Sequence, residues 1–546
     1  VSLPDGTGKA AVPTVNVANP VLPGCHPDPS VCRVGEDYFL VTSTFEYFPG
    51  IPVFHSRDLV HWTPVGHVLT RTSQVDLATV ASSEGIFAAT IRHHKGRFYV
   101  VTTLVGGSGR GGTFVVTATD PAGPWSDPAW LDDAPGIDPS LFFDDDGRAW
   151  CTGTRLAEPG EWEGQTDVWL REFDTAALAL TGPEHLLWRG ALHGAVWAEG
   201  PHLYKVDGRY YLLAAEGGTE HRHAVSVARA EHVTGPYTGN PANPVFTHRH
   251  LGRDFPVVGV GHADLVRTAE GEWWAVLLGS RPYGGYHPNL GRETFLVPVR
   301  WEDGWPLFAP GAGTTLGPFR PPAVAAAAQT ASGGPAARPP HQEPVRDDFD
   351  GPRLDPRWNQ VRTGEPFWSL TARPGRLRLP LGPATLAEVG TPCFLGRRQQ
   401  HQDVSVSALF DVEPRTAREW AGLAVRQSEA DHLVLAVAGD GHGGRRVLAA
   451  VRTGGEQRLV AQAPLPAGPV VVRIHAEGQR YGLRYAPAGA GGDAETELAA
   501  VDGGFLSSPR AGGFLGVWLG PYATAHGAPS TTVADVDWFD YRPLAP

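Results

Sequence analysis

Gly35-Glu36-Asp37-Tyr38-Phe39-Leu40, a glycine turn running into an aromatic and aliphatic segment, decides the reading of this chain because it recurs. The same figure returns at Gly96-Arg97-Phe98-Tyr99-Val100, Gly147-Arg148-Ala149-Trp150, Gly208-Arg209-Tyr210-Tyr211-Leu212 and Gly271-Glu272-Trp273-Trp274. A spacing of about 50 to 63 residues suits one four-stranded propeller blade per repeat, with loop insertions. Apolar segments before the turns, such as Ile91-Arg92 and Leu265-Val266-Arg267, make each unit a hairpin. Ser56-Arg57-Asp58-Leu59-Val60-His61-Trp62 and Gly235-Pro236-Tyr237 supply outer-strand and turn signals. The rival is a sandwich with accidental regularity, but the repeats fill the whole segment. The pattern therefore predicts an all-β chain that opens with a five-bladed β-propeller over residues 1–320.

Beyond it, residues 321–344 carry Ala325 to Ala328 and Ala337-Arg338-Pro339-Pro340 without apolar periodicity, which reads as a Pro/Ala-rich linker. Residues 345–546 show short alternating runs between glycine-rich turns, at Val404 to Phe410, Leu433 to Val437 and Val470 to Ile474. That is the pattern of a β-sandwich, jelly-roll-like, whose last strands are expected at Phe514-Leu515-Gly516-Val517-Trp518 and Val536-Asp537-Trp538-Phe539.

The bulk numbers agree with two folded domains. At 546 residues the chain exceeds one hydrophobic core, and 42% apolar with 19% charged residues argues against disorder. A net charge of −13 would repel a phosphate backbone, so nucleic acid is not expected as a partner. No run approaches the roughly 18 to 20 apolar residues of a membrane span, so no membrane partner is expected either. Val1 to Val15 lacks a basic region followed by an apolar run, which favours a cytoplasmic address; secretion with the leader removed is the alternative. Cys25, Cys32, Cys151 and Cys393 are too few and scattered for a disulfide framework, and packed thiols are expected. A homo-oligomer is compatible with all of this.

The innermost strand of each blade faces the propeller axis, so the chemistry is sought seven to nine residues before each turn glycine, the same place in every repeat. Blade one offers Asp28 there, blade two Phe87, blade three Asp138, blade four Glu199, and blade five His262 with Asp264. Acids converging on one axis repel one another and lose hydration, a cost that a catalytic site can use. Prolines or glycines flank them in His26-Pro27-Asp28-Pro29-Ser30, Gly136-Ile137-Asp138-Pro139-Ser140 and Trp197-Ala198-Glu199-Gly200-Pro201. Turn capping explains one such acid easily, but not three at matching positions.

With these residues placed, the chain resembles the family 43 glycoside hydrolases, β-xylosidases and α-L-arabinofuranosidases, over both domains. The resemblance rests on Asn19 to Ser30, Thr44-Phe45-Glu46-Tyr47-Phe48-Pro49-Gly50, Asp138-Pro139-Ser140-Leu141-Phe142, Glu199-Gly200-Pro201-His202, Gly261-His262-Ala263-Asp264 and Gly291-Arg292-Glu293-Thr294-Phe295. It implies Asp28 as general base, Glu199 as general acid and Asp138 as the acid that tunes Glu199. It further implies Arg292 as a sugar contact in the innermost subsite, Phe45 as its apolar wall, and His262 beside a structural calcium ion or that ion's waters. No cofactor is implied for the chemistry. Where the family shows Ile-Trp-Ala-Pro, this chain has Ile86-Phe87-Ala88-Ala89, so Phe87 is expected to reshape the substrate wall.

Those roles fit the chemistry of inversion, which needs one protonated acid at the leaving oxygen and one carboxylate activating water from the opposite face. The base and acid are then expected roughly 6.5 to 9.5 Å apart. The expected substrate is a small oligosaccharide: terminal xylose is released from β-1,4-xylo-oligosaccharides, or, as the alternative, arabinose from arabinoxylan or arabinan fragments. Arg281-Pro282-Tyr283-Gly284-Gly285-Tyr286 is a candidate for the rim, with plain loop packing as the competing reading. The sandwich is expected to act as a lid over the pocket, with an independent carbohydrate-binding module as its rival. A retaining fructosidase-like hydrolase would begin with Asn-Asp-Pro, where this chain has Pro27-Asp28-Pro29. A non-catalytic sugar-binding propeller would not need opposed acids.

Overall fold

The computed structural model describes residues 16–323, 345–489 and 495–544, so all but the first three residues of the expected linker lie outside the described residues. Five antiparallel four-stranded sheets form the first domain. The first is built from Ser30–Val34, Asp37–Val41, Gly50–Ser56 and Thr63–Leu69, and the second from Gly85–His94, Arg97–Val105, Gly112–Ala118 and Ala129–Trp130. The third comprises Ile137–Phe143, Ala149–Leu156, Thr166–Asp174 and Ala179–Trp188. The fourth comprises Glu199–Val206, Arg209–Glu216, Ala224–Ala230 and Thr238–Gly239, and the fifth Val258–Arg267, Trp273–Ser280, Arg292–Glu302 and Trp305–Phe308. Their first strands neighbour one another in a closed cycle, the arrangement of a five-bladed propeller. Each repeated glycine makes the first hairpin turn of its blade with a positive φ, from 65° at Gly35 to 91° at Gly147 and Gly271, which other residues rarely adopt. The segment before blade one bridges Leu22 to Thr294 of blade five, tying the ends of the ring together.

The inner strands share a second device. In blades two to five the pairing register slips at one equivalent point, between Phe87 and Thr90, Ile137 and Ser140, Glu199 and His202, and Gly261 and Asp264. Such bulges re-aim side chains that an unbroken strand would send to alternate faces. Asp138 and His262 accordingly hold left-handed backbone at φ 56° and 47°, and Asp28, just before the unbroken first strand of blade one, does so at 54°.

Farther along the same strands a polar hub joins all five blades. The Asp264 carboxylate accepts from Ser30 Oγ at 2.7 Å, Val31 N at 3.0 Å, Tyr204 Oη at 2.6 Å and Arg92 Nη1 and Nη2 at 2.8 and 3.1 Å. His202 Nδ1 lies 3.0 Å from Arg92 Nη2 and 2.9 Å from Ser140 Oγ, so it accepts and its proton sits on Nε2. Burial alone would raise the Asp264 pKa, but Arg92 and the hydrogen bonds outweigh it and hold the group well below the ordinary carboxylate range. Asp264 thus stands with the hub and not with the acids beside which the sequence reading set it, because regular pairing resumes at Asp264, past the bulge that carries His262.

The second domain is a two-sheet sandwich. One sheet orders Val345–Asp347, Val533–Pro543, Val404–Asp411, Val470–Glu477, Arg480–Pro487 and Thr496–Asp502, with Leu377–Pro380 also paired to Val533–Pro543. The other orders Asn359–Val361, Cys393–Arg398, Trp518–Thr524, Trp420–Arg426, His432–Gly439, Arg445–Thr453 and Glu456–Leu465. Its strands alternate between two buried faces: Leu433, Leu435 and Val437 enter the core between the sheets, while Val434, Ala436 and Ala438 join a second cluster with Phe45 and Tyr47 of the propeller. The expected strand at Phe514–Trp518 is corrected: the strand begins at Trp518, and Phe514 to Val517 lie in the loop before it.

The propeller supplies an edge strand to that sheet. Tyr47–Phe48 pairs with Asn359–Val361, in register Gln360 with Phe48 and Val361 with Tyr47. Tyr47 stacks on Trp518 at 3.8 Å, and Arg426 reaches Glu46 at 3.0 Å, Tyr47 Oη at 2.9 Å and Ser82 Oγ at 2.7 Å. A shared sheet and a buried ion pair make the domain junction rigid. All four cysteines are buried and free. Among the described residues no helix is long and apolar enough to cross a membrane.

Candidate active site

One cavity of about 550 Å³ opens at the end of the propeller where the bulges lie. Asp28, Phe45, Phe87, Asp138, Glu199, His262 and Arg292 all line it, so the side chains singled out from sequence are brought together at one place. Their settings differ. Asp28 accepts from Arg292 Nη1 at 2.8 Å and from Ser43 Oγ at 2.6 Å, with His262 Nδ1 3.7 Å away. Burial raises its pKa, but Arg292, His262 and Ser43 together more than reverse that and lower it below the ordinary 3.8. Asp28 is therefore an anion at neutral pH.

Glu199 is set the other way. Its carboxyl makes no hydrogen bond among the described residues, and burial, followed by the nearby carboxyls of Asp138 and Asp28, raises its pKa well above the ordinary 4.5. Asp138 accepts one hydrogen bond, from Gly200 N at 3.1 Å, and burial pushes it up to about 6. The cavity thus holds a dissociated carboxylate and a carboxyl kept protonated, the pairing that general acid–base chemistry requires. Gly200 admits no side chain, because its φ is 56° and a Cβ would come within 2.8 Å of the His262 ring.

The walls are apolar on one side. Phe45 meets Phe87 edge-on at 5.5 Å, and the Arg292 guanidinium lies 5.7 Å from the Phe45 ring centre. Phe514 of the sandwich completes this wall, 6.2 Å from Phe45 and 5.6 Å from Arg292, and its backbone N–H is held by Ser83 Oγ at 2.9 Å. Sequence reasoning missed Phe514 as a site residue, since it belongs to the other domain and only its glycine neighbours, Gly512, Gly513 and Gly516, hint at a loop. It also missed Ser43, which carries no motif. Trp197, Ile137 and the segment Gly217 to Arg222 line the mouth.

Residues 281–286 are not among those lining the cavity. Arg281 instead binds Glu293 through two hydrogen bonds of 2.6 and 2.8 Å, and Gln479 of the sandwich donates to Tyr283 O at 2.9 Å, so this stretch serves the domain junction. The calcium expectation finds no protein cage: among the described residues no cluster of three or more His, Cys, Asp or Glu side chains could hold a metal ion. The carboxylate nearest His262 in sequence, Asp264, is saturated by the hub. The residues here do not fit a hard cation that takes six to eight oxygens, unless water supplies nearly all of them.

Residues 17–306 match the family described as glycosyl hydrolases family 43, and residues 346–542 match the β-xylosidase C-terminal concanavalin A-like domain. The chain is 41% identical over 529 residues to a xylosidase/arabinosidase of Butyrivibrio fibrisolvens, covering 95% of this chain and 98% of that one. It is 39% identical to a non-reducing-end α-L-arabinofuranosidase of Bacteroides ovatus, covering 96% and 94%. Among solved structures, a xylan β-1,4-xylosidase from Bacillus halodurans superposes with a TM-score of 0.87 at 34% identity, covering 96% of this chain and 100% of that one.

Proposed function

This chain belongs to glycosyl hydrolase family 43, and from that premise we propose that it removes single terminal xylose residues from β-1,4-xylo-oligosaccharides with inversion of configuration. It is a glycoside hydrolase, and its chemistry needs no cofactor. The observation that carries the mechanistic reading is the opposed pair of carboxyls on one cavity, Asp28 lowered and Glu199 raised. Glu199 donates its proton to the glycosidic oxygen as the bond to the anomeric carbon breaks, and Asp28 accepts a proton from the water that attacks that carbon from the opposite face. Asp138 opposes ionisation of Glu199 before the transfer. Arg292 does two things: it keeps Asp28 ionised, and it offers its remaining N–H groups to the sugar hydroxyls between Phe45 and Phe514.

Arabinose release from arabinoxylan or arabinan fragments is the second reading, favoured by the name of the Bacteroides ovatus relative. Four unpaired buried cysteines support a cytoplasmic address, where imported oligosaccharides would be trimmed. The experiment measures initial rates on nitrophenyl β-D-xyloside, nitrophenyl α-L-arabinofuranoside and xylobiose, with NMR reading the first anomer formed. Xylose released from xylobiose, abolished in Glu199→Gln, and α-xylose appearing first from nitrophenyl β-D-xyloside are expected. Release of arabinose alone would move the substrate while keeping the mechanism, and β-xylose appearing first from nitrophenyl β-D-xyloside would replace inversion with a retaining route.

A further inference from the structure

The cavity does not end at the catalytic acids. A second groove of about 570 Å³ adjoins it, and Ile137 and Trp197 line both. The groove runs over the rim of blade three, along Thr154, Arg155 and Leu156 at the end of one strand and Asp167 near the start of the next. These strand ends lie at the same end of the propeller as Asp138, because Ile137 pairs with Thr154.

Trp197 is the hinge between the two spaces, and its setting is unusual. Its backbone is left-handed at φ 52°, a conformation that bulky residues avoid unless the surroundings impose it. The surroundings do so: its N–H donates to Gly164 O at 2.8 Å, and Thr154 and Thr166 hydroxyls hold the next carbonyl, Ala198 O, at 3.1 and 2.9 Å. The indole itself is only half-buried, and its Nε1 makes no hydrogen bond among the described residues. Beyond it Leu156 is 49% exposed, one of the most exposed large apolar side chains described. Arg155 and Asp167 beside it are fixed by partners, Arg155 by Glu184 at 2.8 Å and Asp167 by Arg189 at 2.9 Å. An apolar platform next to oriented donors and acceptors matches a sugar, which has apolar faces and hydroxyl edges.

We propose that this groove binds the leaving part of the substrate, so that the preferred substrate is a longer neutral pentosan chain and not a disaccharide. The inference rests on Glu199 as general acid. That carboxyl must touch the glycosidic oxygen, so the leaving chain emerges beside it, and Trp197, two residues earlier, is the first surface it meets. Further sugars then pass over Leu156 toward Arg155 and Asp167.

The test compares kcat/KM for xylobiose, xylotriose, xylotetraose and xylopentaose, and for arabinosylated oligosaccharides of rising backbone length, in the wild type, Trp197→Ala and Leu156→Asp. Covering some 50 Å² of apolar surface would raise kcat/KM about tenfold from the shortest to the longer substrates in the wild type. The variants are expected to bring that ratio close to one. Leu156 is exposed enough for its substitution to spare the fold, so it stands as the second test if Trp197→Ala does not fold. A flat wild-type series with normal pentose release would overturn the leaving-chain groove and leave the hydrolase reading intact. So would a length dependence unchanged in a folded Leu156→Asp. Absence of pentose release from every substrate would overturn the hydrolytic reading itself, and the groove assignment with it.

Discussion

Replacing Arg292 by glutamine isolates what keeps Asp28, the proposed general base, ionised. The Arg292–Asp28 contact is 2.8 Å between Nη1 and Oδ1, with both side chains more than nine-tenths buried. Unit charges centred about 4 Å apart interact by about 4 kcal/mol at an effective dielectric constant near 20. At 1.36 kcal/mol per pKa unit that is a ceiling of roughly 3 units. Ser43 and His262 still face Asp28 in the variant, and water enters the vacated space, so a rise of about one to two units is expected. The sign follows from the direction of the shift. Asp28 is lowered in the folded enzyme, so its active anion persists down to acid pH and is lost as pH falls through the folded value. The acid limb of kcat/KM, which reports the free enzyme, therefore lies below the ordinary carboxylate range in the wild type and moves up by about one to two units in Arg292→Gln. Each profile on an aryl xyloside is normalised to its own maximum, because the variant also loses the proposed sugar contact. Arg292→Lys, which keeps a cation, should show the smaller displacement. An acid limb in Arg292→Gln within about 0.3 unit of the wild type would refute the electrostatic role given to this residue.

The alkaline limb should respond in the opposite sense to Asp138→Asn: removing that carboxyl lowers the raised pKa of Glu199, so the limb moves to lower pH, seen in the same profiles. Because Asp138 and Glu199 have raised values, their contribution to stability is present below about pH 4 and is lost as pH rises through the folded values. Glu199→Gln should therefore melt higher than the wild type at neutral pH and about equally in acid, by differential scanning calorimetry. In the hub, Arg92→Met strands the Asp264 carboxylate in a fully buried setting and should cost about 3 to 5 kcal/mol in urea unfolding of the propeller. Phe514→Ala opens the wall that the sandwich supplies; KM for xylobiose should rise several-fold with a smaller change in kcat, whereas unchanged kinetics would mean that the sandwich is not a lid.

The sequence by itself carried the architecture, because a propeller is written locally. Each blade repeats its own turn glycine, and the period survives in Gly35, Gly96, Gly147, Gly208 and Gly271 without any long-range information. The same period pointed to Asp28, Asp138, Glu199 and His262, since equivalent positions in a ring meet at its axis. Periodicity could not say which of two neighbouring polar residues faces the cavity. The bulge after Gly261 sends His262 to the mouth and Asp264 into the hub, and a bulge is a property of strand pairing. Nor could it reveal Phe514, which lies more than 400 residues from Phe45 and reaches it only because Tyr47–Phe48 extends a sheet of the sandwich. The opposed protonation of Asp28 and Glu199 is tertiary in the same way: the two carboxyls diverge because Arg292, from blade five, is hydrogen-bonded to Asp28, whereas at Glu199 burial and the carboxyls of Asp138 and Asp28 outweigh its weaker influence.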